Sequence, residues 1–110
     1  MELITGGIYQ GKREYAVNTL HIPQENIIDD FNDTVREMLL KGEDVNAWLD
    51  ALVKARPQCA VIVDEVGCGI IPPDPKEREY RMVLGRLACV LSERAEHVYR
   101  VVAGLGIRLK

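Results

Sequence analysis

Glu2-Leu3-Ile4-Thr5-Gly6-Gly7-Ile8-Tyr9-Gln10-Gly11-Lys12-Arg13 is the stretch on which the reading turns. It divides into a short apolar strand over 2–5, a glycine-bounded loop, and a helix running from Lys12 to about Leu20. Glycine, four residues, glycine, lysine between a strand and a helix is most of a phosphate-binding loop. The glycines let the backbone curl until successive N–H groups face an anion. The helix adds the positive end of its dipole, and the lysine reaches the outer phosphate oxygens. Gly6, Gly7, Ile8, Tyr9, Gln10, Gly11, Lys12 and Arg13 are therefore the expected nucleotide-binding residues, with Lys12 also in the catalytic set. The complete motif carries Ser or Thr after the lysine, where a hydroxyl binds Mg²⁺, and this chain has Arg13. A guanidinium offers no acceptor and cannot ligate a cation. Arg13 either pairs with a phosphate or points to solvent.

Outward from the loop, strands and helices alternate. Pro23 ends the first helix by biasing its predecessor away from helical geometry. Asn26-Ile27-Ile28-Asp29 is a second short apolar run. Asn32 or Asp33 is expected to cap a helix carrying Val35, Met38 and Leu39, with Gly42 as its stop. Val45, Trp48, Leu49, Leu52 and Val53 mark another helix that halts before Pro57, with Trp48 in the core. Cys59-Ala60-Val61-Ile62-Val63 is continuously apolar, the signature of a strand buried on both faces. A Gly67-Cys68-Gly69 turn and a Pro72-Pro73-Asp74-Pro75 loop lead to a helix over 75–95 showing Tyr80, Val83, Leu84, Leu87 and Leu91. His97 to Ala103 forms a strand, Gly104-Leu105-Gly106 a turn, and 107–109 an antiparallel edge. The order predicts a single α/β domain over 1–110. Its sheet is open and mostly parallel, with helices on both faces and a C-terminal antiparallel edge hairpin, in the manner of the P-loop NTPases.

Two apolar runs end in acids, Asp29-Asp30 and Asp64-Glu65. In a parallel sheet these carboxylates emerge at the edge that carries the glycine loop. There they hold Mg²⁺ against a nucleotide or activate a hydroxyl acceptor, or they simply cap the following helices. The functional reading makes Asp29 and Glu65 catalytic with Lys12, Asp29 and Asp64 metal ligands, and Mg²⁺ with ATP or GTP the cofactor. His21 and His97 read as surface or capping residues, and Cys68 as a small loop-filling residue.

Bulk properties exclude several classes. A net charge of −3 and few aromatic residues argue against a broad nucleic-acid surface. Three widely spaced cysteines make a disulfide framework or structural zinc site improbable. No signal peptide or bilayer-length apolar run is visible, so the expectation is a cytoplasmic protein without a membrane partner.

The C-terminal half carries a more specific pattern. Val61-Ile62-Val63-Asp64-Glu65-Val66-Gly67-Cys68-Gly69-Ile70-Ile71-Pro72 resembles the V-x-N-E-V-G-x-G-I-V-P segment of the bifunctional adenosylcobinamide kinase / adenosylcobinamide-phosphate guanylyltransferase family. Val102-Ala103-Gly104-Leu105-Gly106-Ile107-Arg108-Leu109-Lys110 resembles that family's closing strand, the glycine loop its V-T-G-G-x-R-S-G-K-S, and Ile27-Ile28-Asp29 its acid-ended strand. The resemblance implies a nucleotide-binding phosphotransferase fold of cobalamin biosynthesis, a corrinoid as a further partner, and a homo-oligomer, specifically a trimer. Between Leu20 and Asn26 the family has additional chain, including the histidine that carries a covalent guanylyl group. His21 lacks the flanking pattern, so that role is not carried over and guanylyl transfer is doubtful. The alternative reading is a catalytically degenerate relative that binds a nucleotide or corrinoid as a sensor or partner subunit.

Overall fold

The structure is a computed structural model and describes residues 1–66 and 73–110. The expected Gly67-Cys68-Gly69 turn and the start of the proline-rich loop lie outside the described residues. Five strands form one sheet: β1 (Glu2–Gly6), β2 (Ile27–Ile28), β3 (Ala60–Asp64), β4 (His97–Val102) and β5 (Leu105–Arg108). Their spatial order is β2-β3-β1-β4-β5. All pairings are parallel except β4 with β5. This is the mostly parallel α/β sheet with an antiparallel edge hairpin that the sequence predicts.

Successive side chains of a strand point to opposite faces, and both faces of this sheet are covered. Ile4, Ile27, Ala60, Ile62 and Val101 pack with Ala16 of α1 (Lys12–Asn18). Leu3, Ile28, Val61, Val63 and Val98 face α2 (Phe31–Leu40), α3 (Val45–Ala55) and α4 (Pro75–Arg94). The larger core is built on Phe31, Leu49, Leu84, Leu87 and Leu91, all buried, and the Trp48 ring stacks on Phe31 with centroids 5.4 Å apart.

Local chemistry sets the helix ends. Gly42 adopts φ +70°, the left-handed geometry of a helix stop, and the Glu43 N–H reaches back to the Met38 carbonyl. Asp44 caps α3, its Oδ1 accepting from the N–H groups of Asn46 and Ala47 at 3.1 Å each. Asp44→Ala is expected to cost about 1 kcal/mol, read as a lowered urea midpoint with unchanged denaturant slope. Asp74 caps α4 in the same way through the Lys76 N–H, and Pro75 occupies the first turn.

Three local expectations are corrected. Neither Asn32 nor Asp33 caps α2: the helix begins at Phe31 after Asp30, and Asn32 has another task, described below. The β4–β5 turn is Ala103-Gly104, both with positive φ (51° and 79°), the geometry of a two-residue hairpin turn. Gly106 already belongs to β5, opposite Val101, and the Tyr15 ring lies where a Cβ there would stand. Finally, the first helix ends at Asn18, and Gln24–Asn26 forms a 3₁₀ turn that delivers the chain into β2.

Candidate phosphate-binding site

The glycine loop joins β1 to α1 at the carboxyl edge of the sheet. Parallel pairing brings the ends of β1 and β3 level, with Gly6 opposite Asp64. The Glu65 N–H extends the contact by donating to the Gly6 carbonyl at 2.9 Å. Two glycines carry the curl of the loop. Gly6 has φ +151° at the start of the loop, and Gly11, with φ +89°, is the residue that caps α1; both conformations favour glycine.

Lys12 is the buried charged side chain of the described residues, with 5% of its surface exposed. Its ammonium folds back over the loop, donates to the Gly7 carbonyl, and lies 2.8 Å from Asp64 Oδ1. A buried charge persists only when paired and hydrogen-bonded, and here strand-end acid and loop carbonyl meet that requirement together. The lysine thus lies between the loop and the end of β3.

Asp64 is itself held by its backbone. Asn32 Oδ1 accepts from the Asp64 N–H at 2.9 Å, and Asn32 Nδ2 donates to the Asp64 carbonyl at 3.0 Å. The asparagine amide thus stands in for a strand neighbour just beyond the two-residue β2. Its Nδ2 also donates to the Tyr80 hydroxyl at 3.1 Å, tying the arrangement to α4. Burial pushes the Tyr80 phenol above its usual range, so the hydroxyl stays protonated and available as an acceptor. Removal of Asn32 as Asn32→Ala is expected to cost about 1–3 kcal/mol, since it strips partners from two backbone groups at once. Hydrogen exchange at Asp64 is the direct readout.

Arg13 lies on the other side of the lysine. Its guanidinium pairs with the Asp29 carboxylate, the acid that ends β2. The contact with Asp29 leaves Arg13 partly exposed beside the loop. Lys12, Arg13, Asp29 and Asp64 line one cleft of about 210 Å³. Glu65 turns to the opposite flank of the loop, where Arg100 of β4 grips it through two bonds of 2.9 and 3.1 Å. Gly7, Gln10, Glu65 and Arg100 line a second cleft there, of about 340 Å³. The expected set is thus divided, with Lys12, Asp29 and Asp64 together and Glu65 apart.

Gln10 ties the loop to the edge hairpin. Its carbonyl accepts from the Gly104 N–H at 2.8 Å and its Oε1 from the Ala103 N–H at 2.7 Å. Neither Arg100 nor this tether is visible in the sequence, because both depend on β4 lying directly beside β1. Tyr9 and Ile8 at the loop tip are exposed.

Of the weaker candidates, His21 is exposed, and His97 pairs with Glu2 across β1 and β4 at 3.0 Å. Cys59 and Cys89 are free thiols, and burial raises the Cys59 value. Cys68 lies outside the described residues. Among the described residues no helix is long and apolar enough to cross a membrane.

Strand-end acids, a glycine loop and a buried lysine on a β2-β3-β1-β4-β5 sheet fit a P-loop-like protein. Residues 23–109 match the family described as cobinamide kinase / cobinamide phosphate guanyltransferase. The chain belongs to that family. The matched span holds Asp29, Asn32, Asp64 and Glu65, and the glycine loop lies just before it. The bifunctional adenosylcobalamin biosynthesis protein CobU of Escherichia coli (strain K12) is 33% identical over 70 residues, covering 60% of this chain and 39% of that protein. Its namesake from Salmonella typhimurium (strain LT2) is 28% identical over 68 residues, covering 62% of this chain and 38% of the relative. The chain thus spans about two fifths of the length of the curated relatives it matches.

Proposed function

We propose that this member of the cobinamide kinase / cobinamide phosphate guanyltransferase family binds the polyphosphate of ATP or GTP on the loop Gly6–Arg13. In this reading it transfers the terminal phosphoryl group to a corrinoid alcohol. The observation that carries the reading is Lys12: a lysine buried against the Gly7 carbonyl and Asp64, inside a glycine loop, at the carboxyl edge of a parallel sheet.

Phosphoryl transfer asks little covalent chemistry of a protein; positioning and charge neutralisation supply most of the acceleration. Loop N–H groups and the start of α1 would cradle the phosphates, and Lys12 would leave Asp64 for an outer phosphate oxygen. The acceptor oxygen bonds to the γ-phosphorus as the bond to the bridging oxygen breaks, with the nucleoside diphosphate leaving. The carboxylates of Asp29 and Glu65, on the two flanks of the loop, are the groups offered to the acceptor hydroxyl.

A second reading is supported by Arg13, which replaces the hydroxyl of a complete loop and engages Asp29. On that reading the chain binds nucleotide without transferring phosphate, as a sensor or partner subunit. Incubation with γ-labelled ATP or GTP and cobinamide separates the two. Label in cobinamide phosphate, absent with Lys12→Ala, supports the phosphotransferase. Saturable nucleotide binding with no transfer supports the binding subunit, and absence of both defeats the site.

A further inference from the structure

A complete loop of this kind holds Mg²⁺ between the hydroxyl after the lysine, a strand-end carboxylate and the phosphates. The residues here do not fit that ion. The side chain at position 13 has no acceptor atom, Asp29 is engaged by the Arg13 guanidinium, and Asp64 by the Lys12 ammonium. The acids expected to ligate a metal are each already bound to a fixed cation of the protein.

The geometry points to a polyphosphate site that works without a divalent cation, in which Arg13 does what the metal does in a complete loop. This rests on the phosphate-binding reading of the loop and goes beyond it by naming the ligand species: the metal-free triphosphate. Mg²⁺ serves there as a positive bridge between an acid and the phosphate oxygens. Arg13 is placed for the same bridge. It is the second residue of α1, it faces the cleft shared with Lys12 and Asp64, and it is anchored by Asp29. Asp29 takes a single bond from Nη1. A guanidinium presents five N–H donors in a planar fork, so the others can meet phosphate oxygens while the carboxylate holds the group in place. Arginine–phosphate pairing of this kind is charge-assisted and geometrically selective.

The cleft's two cations and three acids set what an anionic ligand must overcome. Lys12 with Asp64, and Arg13 with Asp29, form two neutral pairs before the ligand enters, and Glu14 is the remaining acid on the wall. An entering phosphate therefore shares cations already in position, together with loop N–H groups. Because the attraction is between phosphate oxygens and the Lys12 and Arg13 cations, binding is expected to weaken as salt rises.

The test is isothermal titration of ATP, and separately of inorganic triphosphate, into the intact chain, in EDTA and in excess Mg²⁺. It is run on the natural sequence, Arg13→Ser and Lys12→Ala, with circular dichroism confirming that each variant is folded. The natural sequence is expected to bind in EDTA within about threefold of its affinity in Mg²⁺. Arg13→Ser is expected to lose at least about tenfold in EDTA, roughly one decade in Kd, and to regain affinity when Mg²⁺ is added, because a hydroxyl now completes the loop. Binding of the natural sequence that requires Mg²⁺, with Arg13→Ser unchanged in EDTA, overturns the inference while leaving the phosphate site intact. Absence of binding to the natural sequence under both conditions overturns the phosphate site itself, and this inference with it.

Discussion

Gly6→Ala is expected to lower the thermal midpoint by on the order of 12–20 °C, the largest effect of a single methyl group anywhere in the described chain. Gly6 holds φ +151°, and a Cβ built there lies 2.4 Å from the Val101 carbonyl oxygen. That oxygen belongs to the backbone of β4, which is locked to β1 by parallel pairing from Glu2–His97 to Thr5–Arg100. Neither partner can rotate away, as a side chain could. Backbone strain and the clash together are expected to cost about 3–5 kcal/mol, which in a domain of this size corresponds to that fall in midpoint. The same change moves the Gly6 carbonyl off the Glu65 N–H and so disturbs the loop. Differential scanning calorimetry of Gly6→Ala measures the effect. A fall below about 4 °C, the equivalent of about 1 kcal/mol, would mean that β1 and β4 are not packed as described. Gly106→Ala offers a contrast. Its Cβ meets the Tyr15 ring at 2.0 Å, the end of a side chain that can swing, so its cost is expected to be smaller.

Lys12→Ala carries the second large effect, on binding rather than folding. The ammonium is desolvated and held by Asp64 and the Gly7 carbonyl. When a triphosphate binds, this is the charge already dehydrated beside it. Truncating one partner of a buried charge pair costs about 2–5 kcal/mol, so nucleotide affinity is expected to fall at least thirtyfold, or about 2 kcal/mol. Stability should change far less, by about 1 kcal/mol, because Asp64 is 35% exposed and water can take the place of the lysine. Lys12→Met separates charge from packing by keeping an apolar stem over the loop. It is expected to match Lys12→Ala in lost affinity and to remain closer to the natural sequence in stability. Equal nucleotide-induced midpoint shifts in all three proteins would contradict this role for the ammonium.

Much of the architecture was legible in the residues. Cys59–Val63 reads as a doubly buried strand because it lacks alternation, and Ala60–Asp64 lies inside the sheet between β1 and β2. The glycine loop was legible because glycine spacing and a following lysine are local facts. Asp29 and Asp64 were found from the rule that acids ending parallel strands share an edge, and both reach the cleft beside Lys12.

The remainder depended on contacts distant in sequence. Asn32 follows a strand-end acid pair and reads as a helix cap, because an asparagine near a helix start usually serves one. Its true partners, Asp64 and Tyr80, lie 32 and 48 residues away. Arg100 is one exposed residue in an alternating strand. Only the adjacency of β4 and β1 sets it against Glu65, 35 residues earlier. The hairpin tether to Gln10 crosses 93 residues. Arg13 is conspicuous as a departure from the motif, yet its pairing with Asp29, 16 residues away, depends on where β2 ends relative to α1, which no spacing in the sequence encodes.

The most direct measurement is an ATP titration of the ¹⁵N-labelled protein followed by amide chemical shifts. A glycine loop that cradles phosphate predicts saturable shifts concentrated at Gly7, Gln10, Gly11, Lys12 and Arg13, accompanied by Asp64 as Lys12 leaves it. Saturable shifts elsewhere, with those loop amides unmoved, or no shifts at millimolar nucleotide, would contradict a phosphate site on this loop.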